Sequence, residues 1–293
     1  MIIVQLNGGL GNQMFQYAAG RALSLHHQTE LKLDLAFLLD RGPRIKGFVY
    51  RNYDLSVFNL AVGFATAQES ALLNKKIVNN KTLDRILKKT LGKKITYFKE
   101  PHFHFYKNFF SPGPSLYLDG YWQSEKYFAD YSKVIREDFT FKNKLPAKAL
   151  PLQNEIKTSN SVCVNVRRGD FVTTPLHGVL GTDYYKTAAS IITDKKGAAN
   201  FYIFSDDVAW CWKNLKFPGP TTFVSHEFAG EKFQEYFQLM ICCKHFIIPN
   251  SSFGWWAAWL NNNTDKIVIA PAKWFNEGPK DTKDIIPAGW IKI

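Results

Sequence analysis

The chain has 293 residues, 46% hydrophobic, 15% aromatic and 21% charged, a globular composition with room for one large domain or two of about 100–200 residues each. That balance excludes disorder. No stretch approaches the roughly 18–20 uninterrupted apolar residues of a bilayer span, since the most apolar candidate, 241–260, carries Lys244, His245, Pro249, Asn250 and two serines. Lys and Arg number 37 against 25 Asp and Glu, a net charge of +12.

The opening MIIVQLNGGL has no basic n-region and no small-residue cleavage site, so it reads as a first strand rather than an export signal, and the chain is expected in the cytoplasm. Gly8-Gly9-Leu10-Gly11-Asn12-Gln13-Met14 then leads into a segment of helical spacing. A strand feeding a glycine turn and a helix N-terminus offers N–H groups to an anion or a sugar hydroxyl. Asp34 closes the apolar run 31–35 at about the distance of a dinucleotide-binding acid, but Met14 stands where the third glycine of that fingerprint lets helix and strand close up. A nicotinamide or flavin is therefore not expected, nor any other cofactor. Asn12 and Gln13 are the informative polar residues at the mouth of this sheet.

Residues 40–120 read as irregular and aromatic. Within 71–100, Lys or Arg at 75, 76, 81, 85, 88, 89, 93, 94 and 99 outweigh Asp84 and Glu100 by +7. This is a solvated helical surface or, more sharply, a patch for peripheral contact with an anionic surface such as the inner membrane face or an anionic glycan.

The polar segment 141–160, with Pro146 and Pro151, marks a domain boundary and gives domains 1–150 and 151–293. Beyond it, apolar runs at 162–166, 201–204, 222–224, 246–248 and 267–270 alternate with helix-length segments 183–194, 206–215, 231–242 and 252–262. That is the βαβα rhythm of an open parallel sheet. In VCVNVRRGDF the period of two puts Asn165 and Arg167 on one face. Two arginines at the carboxyl end of a parallel strand lie where open α/β sheets bind ligands, and a guanidinium fork matches a pair of phosphate oxygens. The plainer reading is an Arg–Asp pair that shapes the turn. Downstream, Asn250-Ser251-Ser252-Phe253-Gly254 enters a further helix and forms a second anion nest. Trp255, Trp256 and Trp259 follow, at a spacing that favours core packing over a sugar platform. Ser205-Asp206-Asp207 reads as a helix cap. No D-x-D pair exists to hold a cation against a diphosphate, so no metal is expected, and no Walker loop, HExxH or G-x-S-x-G occurs. Cysteines at 163, 211, 242 and 243 are too irregular for a disulfide framework or a zinc site and read as reduced, mostly buried residues.

Taken together, GGLGNQMFQYAAGRAL, LDGYWQSEKYF (118–128), NVRRGDF, FYIFSDD and CKHFIIPNSSFGWWAAWLN resemble, in order, the blocks of family 11 glycosyltransferases, the α-1,2-fucosyltransferases. The resemblance implies an α/β, GT-B-like fold of two Rossmann-like domains facing a cleft, an amino-terminal acceptor-side domain and a carboxy-terminal domain for GDP-fucose. It implies inverting, metal-independent transfer of L-fucose from GDP-fucose to the 2-hydroxyl of a terminal β-galactose on a glycan. By the same resemblance Arg167 clamps the β-phosphate, Arg168 supports it, Ser251, Ser252 and Phe253 line the diphosphate, and Asn12, with Gln13 beside it, sits at the fucose. Asn165 stands where the family usually has His, Gly254 and Ala257 where it has Ser and Gly, and Glu235, ahead of Tyr236, is the better candidate for the guanine edge.

The base that takes the acceptor's proton must lie opposite the diphosphate, which favours residues following Arg167. Asp170, His177 and Asp183 are the candidates: Asp170 with holding Arg168 as its plainer role, His177 in a loop between Gly178 and Gly181 that could swing, Asp183 as a helix cap. The competing readings are another GDP-sugar transferase or a protein O-fucosyltransferase, and a non-catalytic glycan- or nucleic-acid-binding protein. A nucleic-acid partner is not expected, because basic and aromatic residues are not interleaved as a single-strand platform requires.

Overall fold

A computed structural model describes residues 1–42, 49–73, 95–174 and 176–293. The chain divides into two compact units. Unit 1 is Met1–Phe141 with Lys283–Ile285, and unit 2 is Lys142–Thr282 with Ile286–Ile293.

In unit 1, β1 (Ile2–Gln5), α1 (Leu10–His26), β2 (Leu31–Asp34), α2 (Ala36–Leu39), β3 (Gly63–Phe64), α3 (Ala67–Leu73), β4 (Thr96–Lys99), β5 (Leu116–Asp119) and α4 (Ser132–Asp138) follow one another. The strands form a sheet of order β3-β2-β1-β5-β4, parallel throughout. The stretch expected to be irregular thus supplies β3, β4 and β5. Its strands escape a periodicity reading because β3 has two residues and β4, TYFK, is an edge strand with three exposed positions. The core of the unit is apolar by sequence design: Ile2, Ile3 and Val4 are fully buried, and α1 buries Met14, Phe15, Ala18, Ala19 and Ala22. Each large apolar side chain buried this way contributes roughly 1.5–3 kcal/mol. The close approach of helix and strand that Met14 does not provide comes from Gly20, where a Cβ would sit 2.2 Å from Val4 Cγ2.

Unit 2 runs through α5 (Leu150–Thr158), β6 (Ser161–Val166), α6 (Thr182–Lys196), β7 (Asn200–Ser205), α7 (Val208–Asn214), β8 (Thr221–Phe223), α8 (Gln234–Ile241), β9 (His245–Ile247), α9 (Ser252–Leu260), β10 (Val268–Ala270) and β11 (Ile291–Lys292). Its strands are again all parallel, in the order β8-β7-β6-β9-β10-β11. Counted from β6 this is 3-2-1-4-5-6, the Rossmann order. β6 is buried along its whole length, the mark of a central parallel strand covered on both faces. Val162, Val164 and Val166 pack with Tyr185, Ala188, Ala189 and Ile192 of α6 and Cys211 of α7. Trp255, Trp256 and Trp259 of α9 are buried and pack on one another with ring centroids 5.0–6.2 Å apart, so they are core residues. The four cysteines are free thiols, and Cys163, Cys211 and Cys243 are buried. Both units are therefore α/β with open parallel sheets. Among the described residues no helix is long and apolar enough to cross a membrane. Of the basic cluster, 75–94 lies outside the described residues.

Candidate active site

In a sheet wound in two directions, ligands bind at the carboxyl ends of the strands beside the point where the winding reverses. In unit 2 that point lies between β6 and β9. β6 runs directly into Arg167-Arg168-Gly169-Asp170, and β9 into Pro249-Asn250-Ser251-Ser252, so both expected anion sites sit at one switch point.

The arginines are held by carboxylates. Arg167 Nη1 meets Asp206 Oδ2 at 2.7 Å, and Nη2 meets Asp170 Oδ1 at 2.5 Å. Asp206, at the end of β7, also accepts the Arg168 backbone N–H at 2.9 Å, which ties the ends of β6 and β7 together. A Cβ on Gly169 would lie 2.6 Å from Asp206 Oδ2, so this approach needs glycine in the RRGD turn. Arg168 is stacked 3.9 Å over the Trp210 ring, with Nε 3.3 Å from Asp207 Oδ2. Asp207 caps α7 through the Trp210 N–H at 3.0 Å, as the Ser-Asp-Asp pattern predicts. Sequence reasoning missed Asp206 as a partner of Arg167, and it assigned Asp170 to Arg168, whereas Asp170 pairs with Arg167. The clue available was the register of two adjacent strands, each ending in charge.

Asn165 shares the Arg167 face and is almost fully buried. Its Nδ2 donates to the Phe204 carbonyl at 3.1 Å. Its Oδ1 lies 2.6 Å from where a Gly254 Cβ would stand. Two of the positions that depart from the family pattern, Asn165 and Gly254, thus touch, and the small residue in the first turn of α9 makes room for the amide. Ser251 is the residue before α9, and Ser252 and Phe253 form its first turn, with Phe253 packed on Phe237 at 4.9 Å. Asn250 is buried and donates to the carbonyls of His177 and Trp274 at 2.8 and 3.0 Å.

Those bonds also fix the loop after the arginines. His177 stacks on Phe171, centroids 4.2 Å apart and planes 7° from parallel, and Phe171 in turn lies under the Arg167 guanidinium at 5.4 Å. Leu176 accepts from the Asn276 N–H at 2.8 Å. The backbone is held at Leu176 and His177 and the imidazole is stacked on Phe171, which corrects the expectation of a side chain free to swing. Burial holds the His177 imidazole below its usual pKa, so it is neutral at pH 7. Asp183 is not the cap expected either. Gly181 occupies the capping position of α6, and the Asp183 side chain is 95% exposed, with Lys186 Nζ 4.0 Å away.

Glu235 opens α8 after an unusual turn in which Gly230, Lys232 and Phe233 all have φ between 54° and 69°. For Lys232 and Phe233 this is strained backbone, a feature that collects at functional sites. Glu235 Oε2 is buried with no hydrogen-bond partner. In the same segment His226, Phe233 and Tyr236 pack on one another with ring centroids 6.0–6.4 Å apart.

In unit 1, Asn12 lies in the first turn of α1 and accepts from Gln123 Nε2 at 2.8 Å. Gln13 is fully buried. It donates to the carbonyls of Gly8 and Asn52, both at 2.8 Å, and accepts the Asp54 N–H at 2.9 Å. Its amide is committed to holding the 52–54 loop and is not presented to a ligand, which corrects its expected place beside the sugar. Gln123 was not singled out from the sequence.

Two arginines at a Rossmann switch point, with a serine-led helix start after the neighbouring strand, suit an anionic ligand, and the model of glycosyl transferase family 11 matches residues 65–293. The chain belongs to this family. It is 32% identical, over all of its length and 99% of the relative's, to an α-1,2-colitosyltransferase of Escherichia coli, and 33% identical, over 98% of its length and 99% of the relative's, to the O-antigen biosynthesis glycosyltransferase WbnK of the same organism. A bovine galactoside 2-α-L-fucosyltransferase, SEC1, is 31% identical over 51% of this chain and 43% of its own. In this family 11 chain, the sequence-expected residues of unit 2 cluster in two places: Asn165, Arg167, Arg168, Asp170, His177, Ser251, Ser252 and Phe253 around the switch point, and Glu235 in the strained turn beyond β8.

Proposed function

We propose that this glycosyltransferase moves L-fucose from GDP-fucose to the 2-hydroxyl of a terminal β-galactose, with inversion and without a metal ion. The observation that carries the reading is the Arg167 fork, fixed by Asp170 and Asp206 at the carboxyl end of β6. As the acceptor oxygen bonds to the anomeric carbon from the opposite face, the bond to the diphosphate breaks and its electron pair goes to the leaving oxygen. A fixed guanidinium stabilises that growing charge most. Two of its five N–H donors are held by the acids, which orient the fork and leave the others for phosphate. Arg168, stacked on Trp210 and paired with Asp207, positions the turn. The first turn of α9 adds N–H dipoles for the diphosphate.

The acceptor's proton needs a base. Asp170 is engaged by Arg167 and Asp183 is directed to solvent, so His177, neutral and close-packed beside Phe171, is the candidate. Glu235 is assigned to the guanine N1 and N2 donors on the strength of its unmet carboxylate oxygen. A specific observation favours a second donor: one of the relatives matched over nearly its full length is an α-1,2-colitosyltransferase, and colitose is fucose lacking one ring hydroxyl. The test is a transfer assay with GDP-fucose and GDP-colitose on lactose, N-acetyllactosamine and Gal-β1,3-HexNAc disaccharides, run with and without EDTA. Transfer of fucose in EDTA supports the proposal. Turnover lost to EDTA and restored by manganese, or transfer of colitose alone, overturns it in its metal or its donor part respectively.

A further inference from the structure

One aromatic ring of unit 2 lies against two groups that the transfer calls on. Phe171 ends the Arg167-Arg168-Gly169-Asp170 turn, and the backbone around it is tied down. The Val172 N–H donates to the Arg168 carbonyl at 3.0 Å, and the Thr174 hydroxyl to the Asp170 carbonyl at 2.6 Å. The Arg167 guanidinium carbon lies 5.4 Å from the centre of the Phe171 ring. The His177 imidazole stacks on the same ring, centroids 4.2 Å apart and planes 7° from parallel, and Phe275 adds a second aromatic contact to the imidazole at 5.6 Å. His177 Nδ1 is shielded from solvent and has no hydrogen-bond partner, which leaves Nε2 as the atom that an acceptor hydroxyl can reach.

We propose that Phe171 is a positioning residue for both ends of the transfer, its ring setting the imidazole that takes the acceptor's proton against the guanidinium that meets the leaving diphosphate. This role rests on the transferase reading. In the step, His177 Nε2 takes the hydroxyl proton as the hydroxyl oxygen bonds to the anomeric carbon, and the bond to the diphosphate breaks with its electron pair on the leaving oxygen. A neutral imidazole thereby becomes a cation, and an aromatic face attracts a cation within about 6 Å of its centre. Phe171 therefore keeps water from the resting imidazole and still accommodates the charged one. Burial lowers the proton affinity of His177, the Asp170 carboxylate raises it and the Arg167 guanidinium lowers it. Of the other segments at His177, residues 249–252 bring the neutral Asn250, and residues 274–277 bring the neutral Asn276 and the acidic Glu277.

The experiment follows the His177 ring by NMR titration and kcat by fucosyl transfer, on the full chain, for the wild type, Phe171→Ala, Phe171→Tyr, His177→Ala and the double variant with Phe171→Ala and His177→Ala. The His177 midpoint is expected below its ordinary value of 6.5 in the wild type and shifted up towards it in Phe171→Ala, where water reaches the ring. In Phe171→Ala, kcat should fall about tenfold with KM for the donor nearly unchanged. Phe171→Tyr, which restores a flat ring, should recover both the midpoint and kcat. The double variant should lose less than the product of the two single losses, because the residues act together. A GDP thermal shift confirms that each variant is folded, and Phe171→Leu, with apolar volume but no flat face, replaces Phe171→Ala in the kinetics if that variant is not. An unmoved midpoint, an unchanged kcat, no recovery in Phe171→Tyr, or losses that simply multiply would each overturn the role in an active wild type. A wild type that transfers neither fucose nor colitose would instead fail the transferase reading, and the role of Phe171 would fall with it.

Discussion

The two units meet the same topological problem with opposite chemistry. At the switch point of unit 2, Asp170, Asp206 and Asp207 are answered by the guanidinium groups of Arg167 and Arg168. At the carboxyl ends of the unit 1 strands, carboxylates are answered by neutral donors: Asp34 by the Tyr117 hydroxyl at 2.7 Å, Asp119 by the Tyr97 hydroxyl and by Gln5, and Glu100 by the backbone N–H groups of Tyr121 and Trp122 at 2.7 and 3.0 Å. A scaffold of one kind thus ends its strands in ion pairs in one unit and in carboxylates met by neutral donors in the other. The difference follows from which residues end the strands, and not from the sheets that carry them.

The sharpest way to break this comparison is at the fork. Lysine keeps the charge of Arg167 but offers a point donor where Asp170, Asp206 and a diphosphate need a planar array. Arg167→Lys is expected to lower kcat/KM by about 10²–10³, the equivalent of roughly 3–4 kcal/mol of transition-state stabilisation. Near-normal turnover would remove Arg167 from the chemistry. Next in size, His177→Ala is expected to cost about 10² in kcat with GDP affinity unchanged, the ordinary weight of a general base. Asp183→Ala, at a fully solvated position, is the control that should match the wild type. If His177→Ala also transfers at the wild-type rate, no base in this loop is needed.

A third test belongs to unit 1, where Glu100 shows what neutral donors cannot do. Burial outweighs its two backbone hydrogen bonds and the nearby Asp119 adds to the effect, pushing its carboxyl up to about 7. Tyr121 and Tyr127 are the other titratable groups around it. The unfolded chain ionises this group near its ordinary value of 4.5, so the stability it contributes is complete below about pH 4.5 and is lost as pH rises through 7. The swing is at most about 3 kcal/mol. Urea denaturation at pH 5 and pH 8 should show Glu100→Gln gaining on the wild type by up to that amount at the higher pH. A difference between the two proteins that is the same at both values would refute the shift.

Unit 2 was more legible in the sequence than unit 1 for a physical reason. Its strands are apolar runs bounded by helices, and β6, β7 and β9 begin within one residue of where the pattern puts them. In unit 1 the interior strand β5 has only four residues, and the aromatic residues Phe98, Phe109, Trp122 and Tyr127, packed with centroids 4.6–6.1 Å apart, have no simple period. The arginines were legible as anion ligands, because their residue type limits what they can do. Gln13 and Gln123 were not distinguishable, because an amide serves equally as a structural clamp or a ligand contact. Only the partners decide: Gln13 has used its amide on the 52–54 loop, and Gln123 has an oxygen left.

The smallest expected effect concerns Glu235, and it tests whether unit 2 reads the base as well as the phosphates. Its Oε2 is buried and unmet, and Gly230 with φ 69° allows the side chain to fold back, since a Cβ there would lie 2.5 Å from Glu235 Cγ. A carboxylate pairs with the guanine N1 and N2 donors through two hydrogen bonds and has no such partner on adenine. Glu235→Gln keeps the shape but replaces one acceptor by a donor, so one of the two bonds turns repulsive. The expected result is a loss of about tenfold in GDP affinity with ADP affinity unchanged, since a hydrogen bond to a charged group is worth about 1.5–3 kcal/mol and part of it is retained. Isothermal titration with both nucleotides measures the ratio. If the preference for GDP over ADP survives intact, Glu235 does not read the base, and the strained turn at 230–233 serves only to start α8.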